Sequence, residues 1–138
     1  YQINNDLEEG ISSERGLLTW RTLMRTLNDY FLTGEIEDIS TASSTFVAVP
    51  DGGKIIKIIT ALQGAISGGN AAITFEIGGT AVTGGGITVA HSGSAAGTVD
   101  SAEPTAANRV EEDGTIEMIT DGGSTGAKKL LVTFVIRR

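Results

Sequence analysis

The chain has 138 residues, a formal net charge of −7 at pH 7, 19 glycines, one histidine and no cysteine. That length suits one domain burying roughly two-thirds of its unfolded surface. The absent cysteine excludes disulfides, thiolate metal centres and thiol nucleophiles, the acidic balance argues against a nucleic-acid surface, and no apolar run approaches the roughly 18 residues of a spanning helix.

The first 40 residues differ from the rest: they hold 8 of the 17 acids and only 3 of the 10 basic residues, while 16 of the 19 glycines follow them. Residues 1–12 read as a polar, acidic N-terminal arm with little periodicity. Such an arm is expected to be flexible by itself and to order on a partner, and Tyr1, Gln2, Ile3 and Leu7 are the residues it would present there. A start at Tyr1 rather than Met is expected where the true N-terminus has been processed, trimmed or left out, and 1–9 show neither the basic nor the apolar region of a signal peptide.

Over 13–40 the spacing predicts an amphipathic helix and a linker. The helix runs from Ser13 to Thr33, with Ser12 or Ser13 as N-cap, Glu14 in the first turn and Gly34 as the C-terminal stop. Leu17, Trp20, Met24, Leu27 and Phe31 recur at spacings of 3, 4, 3 and 4, a seam widened by Leu18, Leu23 and Tyr30. Two heptads are too few for an independent coiled coil, so the seam must pack on something. Either it covers a face of the chain's own sheet, or it meets symmetry mates or another protein. Its polar face is not lysine-rich, unlike that of a membrane-surface helix.

From 41 to 138 the period becomes 2 and the residues become β-formers. Strands are predicted at Thr45–Val49, Lys54–Leu62, Ala71–Ile77, Thr80–Thr83, Ile87–Ala90, Gly97–Asp100, Thr115–Thr120 and Lys129–Ile136. Between them stand Asp51-Gly52-Gly53, Gly78-Gly79, Gly84-Gly85-Gly86, Asp113-Gly114 and Asp121-Gly122-Gly123, the punctuation of tight turns. Many short strands with regular turn signals mean an antiparallel sandwich or barrel. Val89–Asn108, rich in Ala, Ser and Gly, is expected to form an ordered loop crossing the sandwich. The expected fold is therefore mainly β, an antiparallel β-sandwich of jelly-roll-like type preceded by one amphipathic N-terminal α-helix.

Chemistry is sparse. His91 has Ser92 beside it and Asp100 further on, yet no nucleophile elbow surrounds them, and a lone histidine in a Gly/Ser-rich loop is an ordinary polar residue. Glu76 and Glu117 would be the carboxylates of a glycan hydrolase, but strand alternation already explains them as outward-facing. Glu111-Glu112-Asp113-Gly114 lacks the ligand spacing of a calcium loop and reads as a solvated turn. The glycine groups neither end in Gly-Lys-Ser/Thr nor lead into a helix, so they are not phosphate loops. No catalytic residue, metal or cofactor is expected, and the chain does not read as an enzyme.

The block from about Ser44 to Arg138 resembles the β module of tailed-bacteriophage head decoration (cement) proteins. The likeness is carried by Ser44-Thr45-Phe46-Val47-Ala48-Val49-Pro50, by Gly79-Thr80-Ala81-Val82-Thr83-Gly84-Gly85, and by Ile87 through Gly97. It continues in Ser101-Ala102-Glu103-Pro104-Thr105-Ala106-Ala107-Asn108, in Ile116-Glu117 and in Thr120-Asp121-Gly122-Gly123-Ser124-Thr125. The resemblance implies a homotrimeric knob, made in the host cytoplasm, that clamps neighbouring major capsid protein subunits on the outer surface of a virion. Its partners would be itself and that capsid protein, with no nucleic acid and no membrane. Leu17, Trp20, Met24, Leu27 and Phe31 then become the expected oligomer or capsid interface. The competing expectation is a receptor- or glycan-binding β module of a virion fibre or spike, contacting its target through Gly93–Asn108; the scarcity of aromatics in the β region disfavours it.

Overall fold

The computed structural model describes residues 28–138. The chain divides into two units, 1–30 and 31–138, and the β domain is the second. Its strands are β1 (Asp29–Ile36), β2 (Ser43–Ala48), β3 (Gly53–Leu62), β4 (Ala71–Ile77), β5 (Thr80–Ala81), β6 (Ile87–Val89), β7 (Val99–Ala102), β8 (Arg109–Val110), β9 (Thr115–Thr120) and β10 (Leu130–Arg137). They form two antiparallel five-stranded sheets. Sheet I has the order β1-β10-β3-β7 with β8 also on β3, and sheet II the order β2-β9-β4-β5 with β6 also on β4.

Alternation decides which side chains meet between the sheets. On β10, Leu130, Val132, Phe134 and Ile136 are buried, and on β9 so are Ile116, Met118 and Thr120. Phe134 from sheet I and Phe75 from sheet II meet edge to face, ring centroids 5.6 Å apart at 88°. The β3–β10 register shifts between Val135 and Ile136, so β3 carries one extra residue there, and the bulge lets both Ile55 and Ile58 face inward. Two buried polar side chains are tied down: Asn108 Nδ2 donates to Ile55 O at 2.7 Å, and Thr120 Oγ1 donates to Ile39 O at 2.8 Å.

Each sheet has one edge built from two short strands. β6 and β5 share one flank of β4, pairing with Ala71–Ile73 and with Glu76–Ile77. β7 and β8 share one flank of β3, pairing with Ile58–Ala61 and with Gly53–Lys54. The two interruptions meet: Thr83 N–H donates to Ala106 O at 3.0 Å and Thr105 N–H to Thr83 O at 2.9 Å. Backbone groups exposed where one edge breaks are thus satisfied by the other.

Every predicted strand overlaps an observed one, and β4 and β9 have the predicted bounds. The segment after β6 does cross from sheet II to sheet I, and β7 lies within it. One expectation is corrected. Asp29–Thr33, the end of the predicted helix, is β-strand, so Phe31 is a strand residue. Leu32 and Ile36 alternate with the exposed Phe31, Thr33 and Glu35. Gly34 is not a helix stop but an inward position of β1, where a Cβ would lie 2.5 Å from Val47 Cγ2 and 3.0 Å from Met118 Cε. Close approach of the other sheet, rather than a left-handed backbone, calls for glycine here. The rest of the helix and seam (Leu17, Trp20, Met24, Leu27) and the arm residues Tyr1, Gln2, Ile3 and Leu7 lie outside the described residues.

Candidate functional site

Among the described residues, His91 bonds Asn70 rather than Ser92 or Asp100. His91 N–H and its ring Nδ1 both engage Asn70 Oδ1, at 3.1 and 2.8 Å, which fixes the imidazole to the β3–β4 connection. Ser92 is exposed beside it. Asp100 lies on β7 opposite the buried Thr60, whose Oγ1 approaches Asp100 O at 3.4 Å. The acidic run before β9 is a turn: Asp113 takes φ 64° and donates its N–H to Val49 O at 2.9 Å, and Gly114 O accepts Val49 N–H at 2.9 Å. Among the described residues no three His, Cys, Asp or Glu side chains cluster as metal ligands would.

Two aspartates act as loop clasps. Asp38 accepts Ser40 Oγ–H at 2.6 Å and Ser40 N–H at 2.9 Å, and those bonds hold its carboxyl below the usual carboxylate range. Asp121 accepts the N–H groups of Ala72 and Gly123 at 3.0 and 2.9 Å, with the same effect. Beside Asp38 an open cavity of about 630 Å³ is lined by Thr41, Ser43 and Lys129 among others, and Lys129 pairs with Glu35 at 3.4 Å.

The distinctive features are on the outer faces. Glu76 and Glu117, each singled out in the sequence, are brought together as direct partners across β4 and β9. The same register extends the row to Phe46 on β2 and Ala81 on β5. Phe46 is 62% exposed. Among the described residues, the strands of sheet II that carry the glutamates and their neighbours, β2, β4, β5, β6 and β9, contain no lysine or arginine. On sheet I, Lys54 on β3 is the register partner of Arg137 on β10 and of Arg109 on β8. Every lysine and arginine among the described residues lies in β3, β8 or β10 or directly flanks β10. Lys54 and Arg109 also border an open cavity of about 450 Å³ at the sandwich edge, with Thr80 and Ala107 on its wall; Ala107 is held at φ 52°. Phe31 on β1 and Val99 on β7 are the exposed large apolar residues of this sheet. Sequence reasoning missed the basic row, since its members belong to three strands; period 2 around the buried Val49 would have pointed Phe46 outward.

Comparison with solved structures bears on the fold. The chain is similar to a chain of the acidic stable capsid structure of Helicobacter pylori bacteriophage KHP30, with a TM-score of 0.56 at 9% identity, covering 80% of this chain and 87% of that one. It is less similar to a chain of the cyanophage Pam1 capsid asymmetric unit, with a TM-score of 0.46 at 13% identity over 79% and 85% of the two chains. No protein-family model matches the sequence, and no curated protein matches it. What is shared with the KHP30 chain is the fold, over 80% of this chain and 87% of that one.

Proposed function

We propose that this chain is a structural virion protein, a decoration (cement) protein that binds the outer surface of a phage head as a homotrimer and stabilises it. The observation that carries this reading is the shared fold with a phage capsid-structure chain, at a TM-score of 0.56 over 87% of that chain. The strand order supports it. Strands 1, 10, 3 and 7 face strands 2, 9, 4 and 5/6, with the chain passing repeatedly between the sheets, which is the connectivity of a jelly roll, an architecture common in viral capsid domains. Fold does not dictate function, so the weight falls also on the surfaces: charged rows and exposed aromatics on the outer faces, and a histidine committed to Asn70.

In this reading Tyr1, Gln2, Ile3 and Leu7 contact the major capsid protein, and Leu17, Trp20, Met24, Leu27 and the exposed Phe31 face other copies or the capsid. Three arms on one trimer raise avidity for a threefold lattice by roughly 10²–10⁴. The test is the solution mass of the full chain together with its co-sedimentation with phage heads lacking it. A trimer that binds heads and slows their thermal disruption is expected. A monomer that leaves heads bare and no more stable would overturn the proposal.

A further inference from the structure

The two outer faces pose one physical problem each. Like charges placed directly opposite on neighbouring strands destabilise a sheet, and both sheets do this. Glu76 and Glu117 sit side by side on sheet II, half-buried, next to the exposed Phe46. Lys54 and Arg109 sit side by side on sheet I, extended by Arg137 on the other flank of Lys54. Among the described residues, no carboxylate lies within ion-pair distance of Lys54 or Arg109, and no cation within that distance of Glu76 or Glu117. Neither the Glu76–Glu117 pair nor the Lys54–Arg109 pair is balanced by an opposite charge among the described residues. Each is, however, what the other requires. Two acids flanked by an aromatic on sheet II complement two cations on sheet I that border an edge cavity of about 450 Å³, whose wall also includes Ile77 and Thr80 of sheet II.

We infer that the occupant of the Lys54–Arg109 surface is a second copy of this chain, presenting its Glu76–Glu117 row with Phe46 alongside. Because the rows lie on different sheets, the contact is heterologous: sheet I of one copy meets sheet II of the next. Such a contact propagates, and it closes into a ring when the rotation between copies allows. This rests on the structural virion protein reading above and adds to it a contact between copies. Charge pairs brought together while water is excluded fix register and orientation as well as adding affinity. The same contact turns each unfavourable cross-strand pair into half of a complementary set, and Phe46 and the apolar outer residues of sheet I supply the area around it.

The experiment uses the full chain and reads its association constant by analytical ultracentrifugation at low and high salt. Four proteins are compared: the natural chain, Glu76→Lys with Glu117→Lys, Lys54→Glu with Arg109→Glu, and the chain carrying all four changes. Each double reversal sets like against like and is expected to weaken association at least about tenfold. The fourfold variant restores opposition between the faces and is expected to return to within about threefold of the natural chain. That recovery distinguishes an interface from a general charge effect, and it is lost if sheet II meets sheet II. Neutral variants, Glu117→Gln and Lys54→Gln, give the same direction with smaller loss should a reversal fail to fold, as judged by far-ultraviolet circular dichroism. A natural chain that associates, with neither reversal nor neutralisation altering its mass, overturns this interface and leaves the trimer reading standing. A natural chain that is monomeric at every concentration overturns both.

Discussion

Sheets I and II turn the same chemistry inward and different chemistry outward. Their inner faces are interchangeable in kind: Ile58, Leu62, Val132 and Phe134 on one, Ile73, Phe75, Ile116 and Met118 on the other. Their outer faces are not. Sheet I has all the cations of the described residues on or beside three of its strands, while sheet II has none and places two glutamates together. Burial constrains the inner faces, because apolar area removed from water is the main favourable term in folding. Nothing in folding constrains the outer faces so strongly, so a departure from mixed, mutually screening charge there points to a partner.

The comparison breaks if the inner faces are unequal in stability. Phe134→Ala and Phe75→Ala each remove half of an edge-to-face ring pair and leave a cavity between the sheets. Each is expected to cost about 3–5 kcal/mol, measured by urea unfolding with unchanged m-value. A loss from one sheet several times that from the other would show the core to be lopsided. Smaller, at about 1–3 kcal/mol, is the cost of Asn108→Ala, which leaves Ile55 O without its 2.7 Å donor in a buried place. Gly34→Ala belongs to the same range, since its Cβ must displace Val47 and Met118 across the sandwich.

How far these features are legible in sequence varies with their range. β4 and β9 are read to the residue, because strict alternation and bounding glycines are local. β1 is not, because Leu27 and Phe31 happen to lie four apart and Gly34 stands where a helix stop would. The need for Gly34 comes from Val47 and Met118, distant in sequence and near in space. β8 is two residues long and has no periodicity to read. Glu76 and Glu117 are each legible as outward-facing, but their adjacency exists only through the β4–β9 register, and the Lys54–Arg109 pairing only through β3–β8. The acids counted before residue 41 likewise divide differently in space: Asp29 and Glu35 are on β1, and Asp38 clasps the turn after it, so part of the apparent attachment segment is sandwich.

The outer-face contrast is sharpened by Glu76→Gln, which removes one of two facing carboxylates. The isolated domain is expected to gain about 0.2–1 kcal/mol, read as a higher urea midpoint at low salt and a diminished gain at high salt. A loss of stability would mean that the glutamate row is held by contacts within the chain, and the case for a partner would weaken. Phe46→Ser tests the same face without charge: a change within about 0.5 kcal/mol is expected for a side chain 62% exposed.

The smallest effect is set by pH and concerns loops rather than faces. The carboxyls of Asp38 and Asp121 are both lowered by hydrogen bonds they accept in the folded chain, from Ser40 and from Ala72 and Gly123. A group lowered on folding contributes stability above its unfolded value and surrenders it as pH falls through the folded one. Their contribution is therefore full at neutral pH and declines below about pH 4. Asp121 is exposed and Asp38 half-buried at the surface, so the loss is local before it is global. Amide exchange at Ala72 and Gly123 is expected to quicken on acidification relative to the Ile73–Phe75 amides, and Asp121→Asn should make that difference independent of pH. Equal quickening across β4 would instead mean that acid acts on the whole sandwich, and that the clasp at Asp121 has no part of its own in holding the end of sheet II.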